Sequence, residues 1–371
     1  MRRALFTLHK YAGLTVGLLL AVIGLTGSLL VFDHALDERL APHTVAFEPV
    51  AQGAPLSRVL ANAQAAVPGQ PALQRINLQR GSHSPHVVRF AAPAGAAGPL
   101  EVSVSPADGT VLAVRTWGEY PMSWLYRLHY TLLSGDTGKT VVGLMGIALL
   151  LFAVSGLVIW WPRKGRWRNA LTLRRNGNRF RFYFDLHKVV GVYLAPVLLV
   201  VAFSGVSLVF PRQVAALVGS IWPVEAASAV ASAVTAFDGQ EALPAPLGID
   251  AATDLARQVF PQGKLTRIDL PKSDKGYYRF SFNLPEEPWR TYGASRLKLD
   301  QYTGEVLERR ALGTLAPGSQ FLLWQFPLHN GDVLGLPGRN LLLLTGLAPA
   351  LLFGSGVYLW WRKRQLRSQK R

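Results

Sequence analysis

Four stretches of 21 residues contain no Asp, Glu, Lys or Arg: Tyr11 to Val31, Val141 to Trp161, Val189 to Val209 and Leu341 to Trp361. As a helix rising about 1.5 Å per residue, each reaches about 31 Å, the thickness of a hydrocarbon core. A soluble fold would have to bury four such helices on every side within 371 residues. The chain is therefore read as a membrane protein with four transmembrane helices.

The charges orient these spans. The segments before the first span, between the second and third, and after the fourth hold 18 of the 39 Lys and Arg residues, with Asp185 as their only acid. That accounts for the whole net charge of +17. Positive loops stay inside, so both termini are placed in the cytoplasm of a bacterial inner membrane and the two long connections in the periplasm. The high pI is thus a topology signal and not a nucleic-acid-binding one. The first span begins like a signal peptide, but its length and its mid-chain copy read as an uncleaved anchor. The chain has no Cys, which excludes disulfides, thiolate-held iron–sulfur clusters and covalently attached haem.

The long connections carry short helix and strand signals. Pro55 to Val67 reads as a helix, followed by strands at Arg75 to Leu78, Val87 to Ala91, Leu100 to Val104 and Val111 to Val114. Ile249 to Phe260 repeats the helix, followed by strands at Lys264 to Leu270, Tyr277 to Asn283, Ser295 to Asp300 and Glu305 to Glu308. Each set closes on an Asp-containing turn with Gly. The predicted division begins with residues 1–35 (first span) and 36–116 (first external α+β domain). Residues 117–162 form an aromatic approach and the second span, and 163–185 the basic loop. Then come 186–211 (third span), 212–320 (second external α+β domain) and 321–371 (fourth span and basic tail).

The two halves repeat. His9, Gly13, Gly27 and Phe32 map without a gap on His187, Gly191, Gly205 and Phe210. Trp124, His129, Gly138, Gly146, Ser155-Gly156 and Trp160-Trp161 map likewise on Trp324, His329, Gly338, Gly346, Ser355-Gly356 and Trp360-Trp361. Two copies of a span–domain–span unit, related by an axis along the membrane normal, are expected.

Four of the eight His residues obey this repeat. His9 and His187 lie at the cytoplasmic ends of spans one and three, and His129 and His329 just before the external ends of spans two and four. Two imidazoles converging at one depth, without Cys or carboxylate, suit the axial positions of a haem iron better than a zinc site. Two haems b are expected, one per pair. Gly13, Gly17, Gly24, Gly27, Gly143, Gly146, Gly191 and Gly205 would let a flat macrocycle approach the backbone; small residues also pack helices. His34 lies 25 residues after His9, about seven helical turns, and would share its helix face. It is a candidate external ligand in place of His129 or His329, or a polar interfacial residue. His83 and His86 flank Pro85 and read as a solvated turn. Trp117, Trp124, Trp289, Tyr292 and Trp324 are candidate linings of an acceptor cleft, or interfacial anchors.

These residues resemble the PepSY-associated transmembrane family. Its pattern is carried here by His9-Lys10, His187-Lys188, His129 with Ser155-Gly156 and Trp160-Trp161, and His329 with Ser355-Gly356 and Trp360-Trp361. The external segments are similar to PepSY domains. Members of the family include haem-containing inner-membrane reductases of ferric siderophores, of the FoxB type. The resemblance implies an oxidoreductase that carries electrons across the membrane to a periplasmic acceptor, a ferric siderophore, and releases ferrous iron. No nucleotide-binding fingerprint is present and the cytoplasmic loop is too short for a flavin domain, so a quinol or a separate reductase is the expected donor. The rival readings are a non-redox membrane protein whose PepSY-like domains bind a periplasmic protein, and a metal or siderophore permease.

Overall fold

The computed structural model describes residues 2–48, 53–69, 71–162, 164–174, 178–226, 244–287 and 293–369. In chain order the helices are α1 (Arg2–Leu30), α2 (Asp33–Leu40), α3 (Leu56–Ala65), α4 (Pro121–Thr131), α5 (Gly135–Trp160) and α6 (Trp167–Leu171). They continue with α7 (Arg179–Val209), α8 (Pro211–Gly219), α9 (Ile249–Val259), α10 (Pro317–Leu323), α11 (Gln325–His329) and α12 (Gly335–Ser368). The strands are β1 (Leu73–Asn77), β2 (His86–Phe90), β3 (Leu100–Val104), β4 (Val111–Thr116), β5 (Lys264–Asp269), β6 (Tyr277–Asn283), β7 (Ser295–Asp300) and β8 (Val306–Arg310). Two units result, one of residues 1–33, 125–217 and 324–371, the other of residues 34–124 and 218–323.

The first unit is helical. Among the described residues, α1, α5, α7 and the helix ending at Ser368 are long and apolar enough to cross a membrane. α1 packs on α12 and α5, and α7 packs on α5 and α12, so α1 and α7 stand on a diagonal of a four-helix ring. Glycine makes the tightest crossings possible. A Cβ on Gly24 would lie 2.5 Å from the Gly346 carbonyl oxygen, and one on Gly143 would lie 2.4 Å from the Phe210 ring. Leu18, Leu25, Leu144, Leu151, Leu344 and Leu351 are exposed. Such an outer surface suits lipid, which is as apolar as leucine itself.

The second unit is an antiparallel sheet of order β4-β3-β2-β1-β5-β6-β7-β8. The two external segments, read from sequence as separate domains, meet in this one sheet. Their first strands pair, Ile76 opposite Ile268. Each half thereby covers the edge that would otherwise present unpaired backbone groups. Alternation puts Ile76, Val88, Val102, Ile268, Phe280 and Leu297 on one face, all buried in a single core shared with α3 and α9. Asp250 of α9 caps the other half's helix: its Oδ1 accepts from the Leu56 and Ser57 N–H groups at 2.7 and 3.3 Å.

The two Asp-containing turns match differently from the sequence reading. Asp300 opens its turn, its Oδ1 accepting from Tyr302 N–H at 2.8 Å. Ser105 holds that position in the first half and accepts from Ala107 N–H at 3.2 Å. Asp108 corresponds instead to Thr303, each accepting from the N–H two residues on. The turn is kept by exchanging which oxygen-bearing side chain sits at which corner.

His86 also departs from the sequence reading. It is no solvated turn residue: it opens β2, is buried, and its Nδ1 accepts from Gln79 N–H at 3.0 Å. His83 stays exposed in the preceding turn. Burial pushes the His86 imidazole down to about 4, so the folded chain holds it neutral. Between pH 6.5 and about 4 the unfolded chain takes a proton that the folded one refuses, so stability falls as pH falls through that window, by about 3 kcal/mol in total. His86→Asn keeps an acceptor for Gln79 and cannot titrate. Protection of the β1 and β2 amides of the intact protein, relative to the intrinsic exchange rate at each pH, is expected to fall between about pH 6.5 and 4.5 in the wild type and much less in the variant. Parallel pH profiles would remove His86 as the cause.

Candidate functional site

The four repeat histidines all belong to the helical unit. His129 lies in the last turn of α4 and His329 ends α11. His9 and His187 lie near the N-terminal ends of α1 and α7. What each ring does with Nδ1 decides what its other nitrogen can do.

His129 Nδ1 is 3.0 Å from the Ile23 carbonyl oxygen and 3.1 Å from Thr26 Oγ1. The Thr26 hydroxyl proton is directed at the carbonyls of Val22 and Ile23, 2.8 and 3.0 Å away. Both partners therefore accept, and Nδ1 must carry the proton. His329 repeats this with Val201 O and Ser204 Oγ, both at 3.1 Å, the Ser204 hydroxyl donating to Val201 O at 3.0 Å. His9 Nδ1 is 2.8 Å from Ser155 Oγ, which also lies 3.2 Å from Phe152 O. His187 Nδ1 is 2.9 Å from Ser355 Oγ, which also lies 2.7 Å from Leu351 O. The carbonyls of Ile23 and Val201 hold His129 and His329 as the Nδ1–H tautomer, which leaves the Nε2 lone pair for a ligand, while serine hydroxyls orient His9 and His187 through Nδ1. This is the arrangement by which a second layer of hydrogen bonds orients a metal-ligating imidazole. His86, with Nδ1 as acceptor, is the opposite tautomer.

The rings of His129 and His329 have centroids 6.3 Å apart, with planes inclined by 47°. With metal–nitrogen bonds of about 2.0 Å and a ring radius of about 1.1 Å, two imidazoles on opposite sides of one metal have centroids roughly 6.2 Å apart. Among the described residues, no three His, Cys, Asp or Glu side chains gather to hold a metal ion. A two-imidazole site leaves the remaining coordination positions to another group, which a porphyrin's four equatorial nitrogens would fill. The residues present fit a haem.

The glycines divide by role. Gly17, Gly24, Gly143 and Gly146 serve helix packing, against Phe353, Gly346, Phe210 and Val206. Gly27 and Gly205 seat the rings: a Cβ there would lie 2.8 Å from His129 Cε1 and 3.1 Å from His329 Cε1. Gly156 and Gly356 stand at ordinary contact from His9 and His187, 3.6 and 3.8 Å. Gly13, one turn beyond His9, faces open space, and its counterpart Gly191 meets only Leu352 at 3.7 Å. Of the eight, Gly13 is therefore the one beside open space, and Gly191 is in ordinary contact. Along α1, about 14 to 18 residues separate His9 from the Ile23–Gly27 seat of His129, so the two sites lie about 24 Å apart in depth.

His34 does not share a helix with His9. α1 ends at Leu30, a turn at residues 31–32 intervenes, and His34 is the second residue of α2, in the other unit. The count of seven turns assumed an unbroken helix. Of the aromatic candidates, Trp117 and Trp124 fall in the sheet unit and Trp324 in the helical unit. Trp289 and Tyr292 lie outside the described residues. Sequence reasoning missed Thr26 and Ser204. Their signal was available: each is a hydroxyl within an apolar run, at equivalent places in the two halves.

A family model described as the PepSY-associated TM region matches residues 6–363. An uncharacterised protein of Pseudomonas aeruginosa is similar, 26% identical over 271 residues, which cover 65% of this chain and 63% of that protein. The chain thus spans less than two thirds of that relative's length. The family match takes in all four span helices, both histidine pairs and both serine partners, and this membrane protein belongs to the PepSY-associated transmembrane family.

Proposed function

We propose that this protein is a haem-b oxidoreductase of the bacterial inner membrane. It takes electrons on the cytoplasmic side from a quinol or a separate reductase and delivers them to a periplasmic ferric siderophore. The carrying observation is the pair His129 and His329, whose Nδ1–H groups are turned to backbone carbonyls and whose rings stand at the separation of two ligands on one metal. His9 and His187 would hold one haem, and His129 and His329 the other. Haem, when bound, supplies a one-electron carrier at each depth. The chain does the rest: Ile23 and Val201 fix the tautomer of His129 and His329, Ser155 and Ser355 orient His9 and His187, and the apolar helices exclude water between the two depths.

The acceptor follows from the chemistry of iron and from the family. Ferric ion is held by hard oxygen donors, and one electron converts it to the ferrous state, which such donors hold less tightly. Iron leaves and the carrier survives. The charge pattern supports cytoplasmic termini and a periplasmic sheet unit. The matching hydrogen bonds at Thr26 and Ser204, and at Ser155 and Ser355, support a tandem duplication.

The test is an absorption spectrum of protein purified from haem-replete cells. Two haems b per chain with low-spin bis-imidazole bands are expected, along with anaerobic reoxidation by a ferric siderophore. The same siderophore loaded with gallium should not reoxidise it. A colourless preparation would leave the non-redox and permease readings.

A further inference from the structure

The face of the sheet turned away from α3 and α9 carries more cations than its acids neutralise, even with Arg115 paired to Asp37 and Arg310 to Glu225. Glu101, Asp269 and Glu308 lie on it, and each is already engaged. Glu101 pairs with Arg89 at 3.2 Å, Asp269 with Arg279 and Arg267 at 3.0 and 3.4 Å, and Glu308 with Lys298 at 2.6 Å. Arg75 and Arg296 form no ion pair among the described residues. Arg75 stands directly opposite Arg89 across neighbouring strands, and Arg296 opposite Arg310. Arg89 and Arg310 have carboxylate partners, Glu101 and Glu225, whereas Arg75 and Arg296 have only the like charge opposite, an arrangement that destabilises a sheet. The Nε atoms of Arg75 and Arg89 are buried without a hydrogen-bond partner. A buried orphan on a charged group is costly, and a bound anion would satisfy it. Burial first, and then the neighbouring guanidiniums of Arg89 and Arg267, draw the Arg75 pKa below the ordinary arginine value.

The extent of this face selects the ligand. From β2, which bears Arg89, to β7, which bears Arg296, there are four strand spacings, about 19 Å. A lone phosphate meets only neighbouring guanidiniums, whereas a chelate with several carboxylates meets more of them at once and feels the field of the rest. Guanidinium forks match planar carboxylates in bidentate fashion. We propose that this arginine face binds a polyanionic, carboxylate-bearing metal chelate. That the chelate is ferric rests on the reductase reading; that it is anionic rests on the face alone.

The probe is gallium citrate, which resembles a ferric polycarboxylate and does not take up an electron, titrated calorimetrically into the intact protein in nanodiscs. Binding is expected to weaken about tenfold or more in Arg75→Gln and Arg267→Gln, and to fall with added salt. Arg296→Gln changes a residue exposed on the sheet surface, so it remains a fair test if the buried variants do not fold; a severalfold loss is expected. A cationic gallium trihydroxamate should bind equally to all of them. No gallium citrate binding, or equal affinity in the wild type and Arg296→Gln, overturns the proposal. So does a change in retained phosphatidylglycerol with unchanged citrate affinity, which would assign the face to lipid headgroups. A haem-free protein that still binds gallium citrate would sink the reductase reading alone. A haem-loaded protein that does not bind it would sink this proposal alone.

Discussion

On the proposed two-haem reading, replacing His129 by alanine is expected to leave one haem per chain instead of two, and to cut electron delivery to an external acceptor at least about a hundredfold. Losing only an outer partner of a metal ligand costs roughly 10- to 100-fold, and here the ligand itself is lost. His329→Ala should do the same, because its ring centroid stands 6.3 Å from that of His129, the separation of two ligands on one metal. His9→Ala should spare that haem and remove or perturb the other, so its reduction from the cytoplasmic side should fail while reoxidation of a pre-reduced external site persists. Pyridine haemochrome counting and anaerobic stopped-flow absorbance separate these effects. Two unperturbed haems in all four alanine variants would refute the pairing.

The second large effect comes from residues that bind nothing. Gly27→Val is expected to abolish or shift the bis-imidazole signature of the external haem, although it improves the helix. In a helix interior a glycine costs roughly 1 kcal/mol relative to alanine, so losing it should not unfold α1. Its Cβ, however, would stand 2.8 Å from His129 Cε1. The ring cannot yield without breaking its bonds to Ile23 and Thr26. The structure also grades the series. Gly205→Ala, at 3.1 Å, should give a partial shift, and Gly156→Ala, at 3.6 Å, almost none. Electron paramagnetic resonance of the oxidised protein reads ligand geometry directly. Equal spectra for Gly27→Val and Gly156→Ala would show that close approach is not what seats His129.

The spans and strands were legible in the sequence because each is marked by its own residues: charge-free runs for the spans, alternation for the strands. β3, β6 and β7 were read with their observed limits. The joining of β1 to β5 was not legible, since no local pattern tells an edge strand which other edge it will meet. The approach of His129 to His329 was legible because their imidazoles kept matching places in two halves of the chain. Thr26 and Ser204 were not, because a hydroxyl in an apolar run reads as a packing residue until the ring it holds is seen. The His34 error was one of continuity. Two residues of turn after Leu30 were enough to take it off the helix face of His9.

The seam between β1 and β5 also has a temporal side. Ile76 meets Ile268 across 192 residues of chain. At about 5–20 residues per second, β1 therefore waits roughly 10 to 40 s after its own synthesis before its partner exists. During that interval the first four strands present an open edge and a half-covered apolar face. Contacts so distant in sequence also fold slowly. Exposure during biogenesis is thus built into the topology, and the newborn first half is where a chaperone or a protease would find this protein vulnerable.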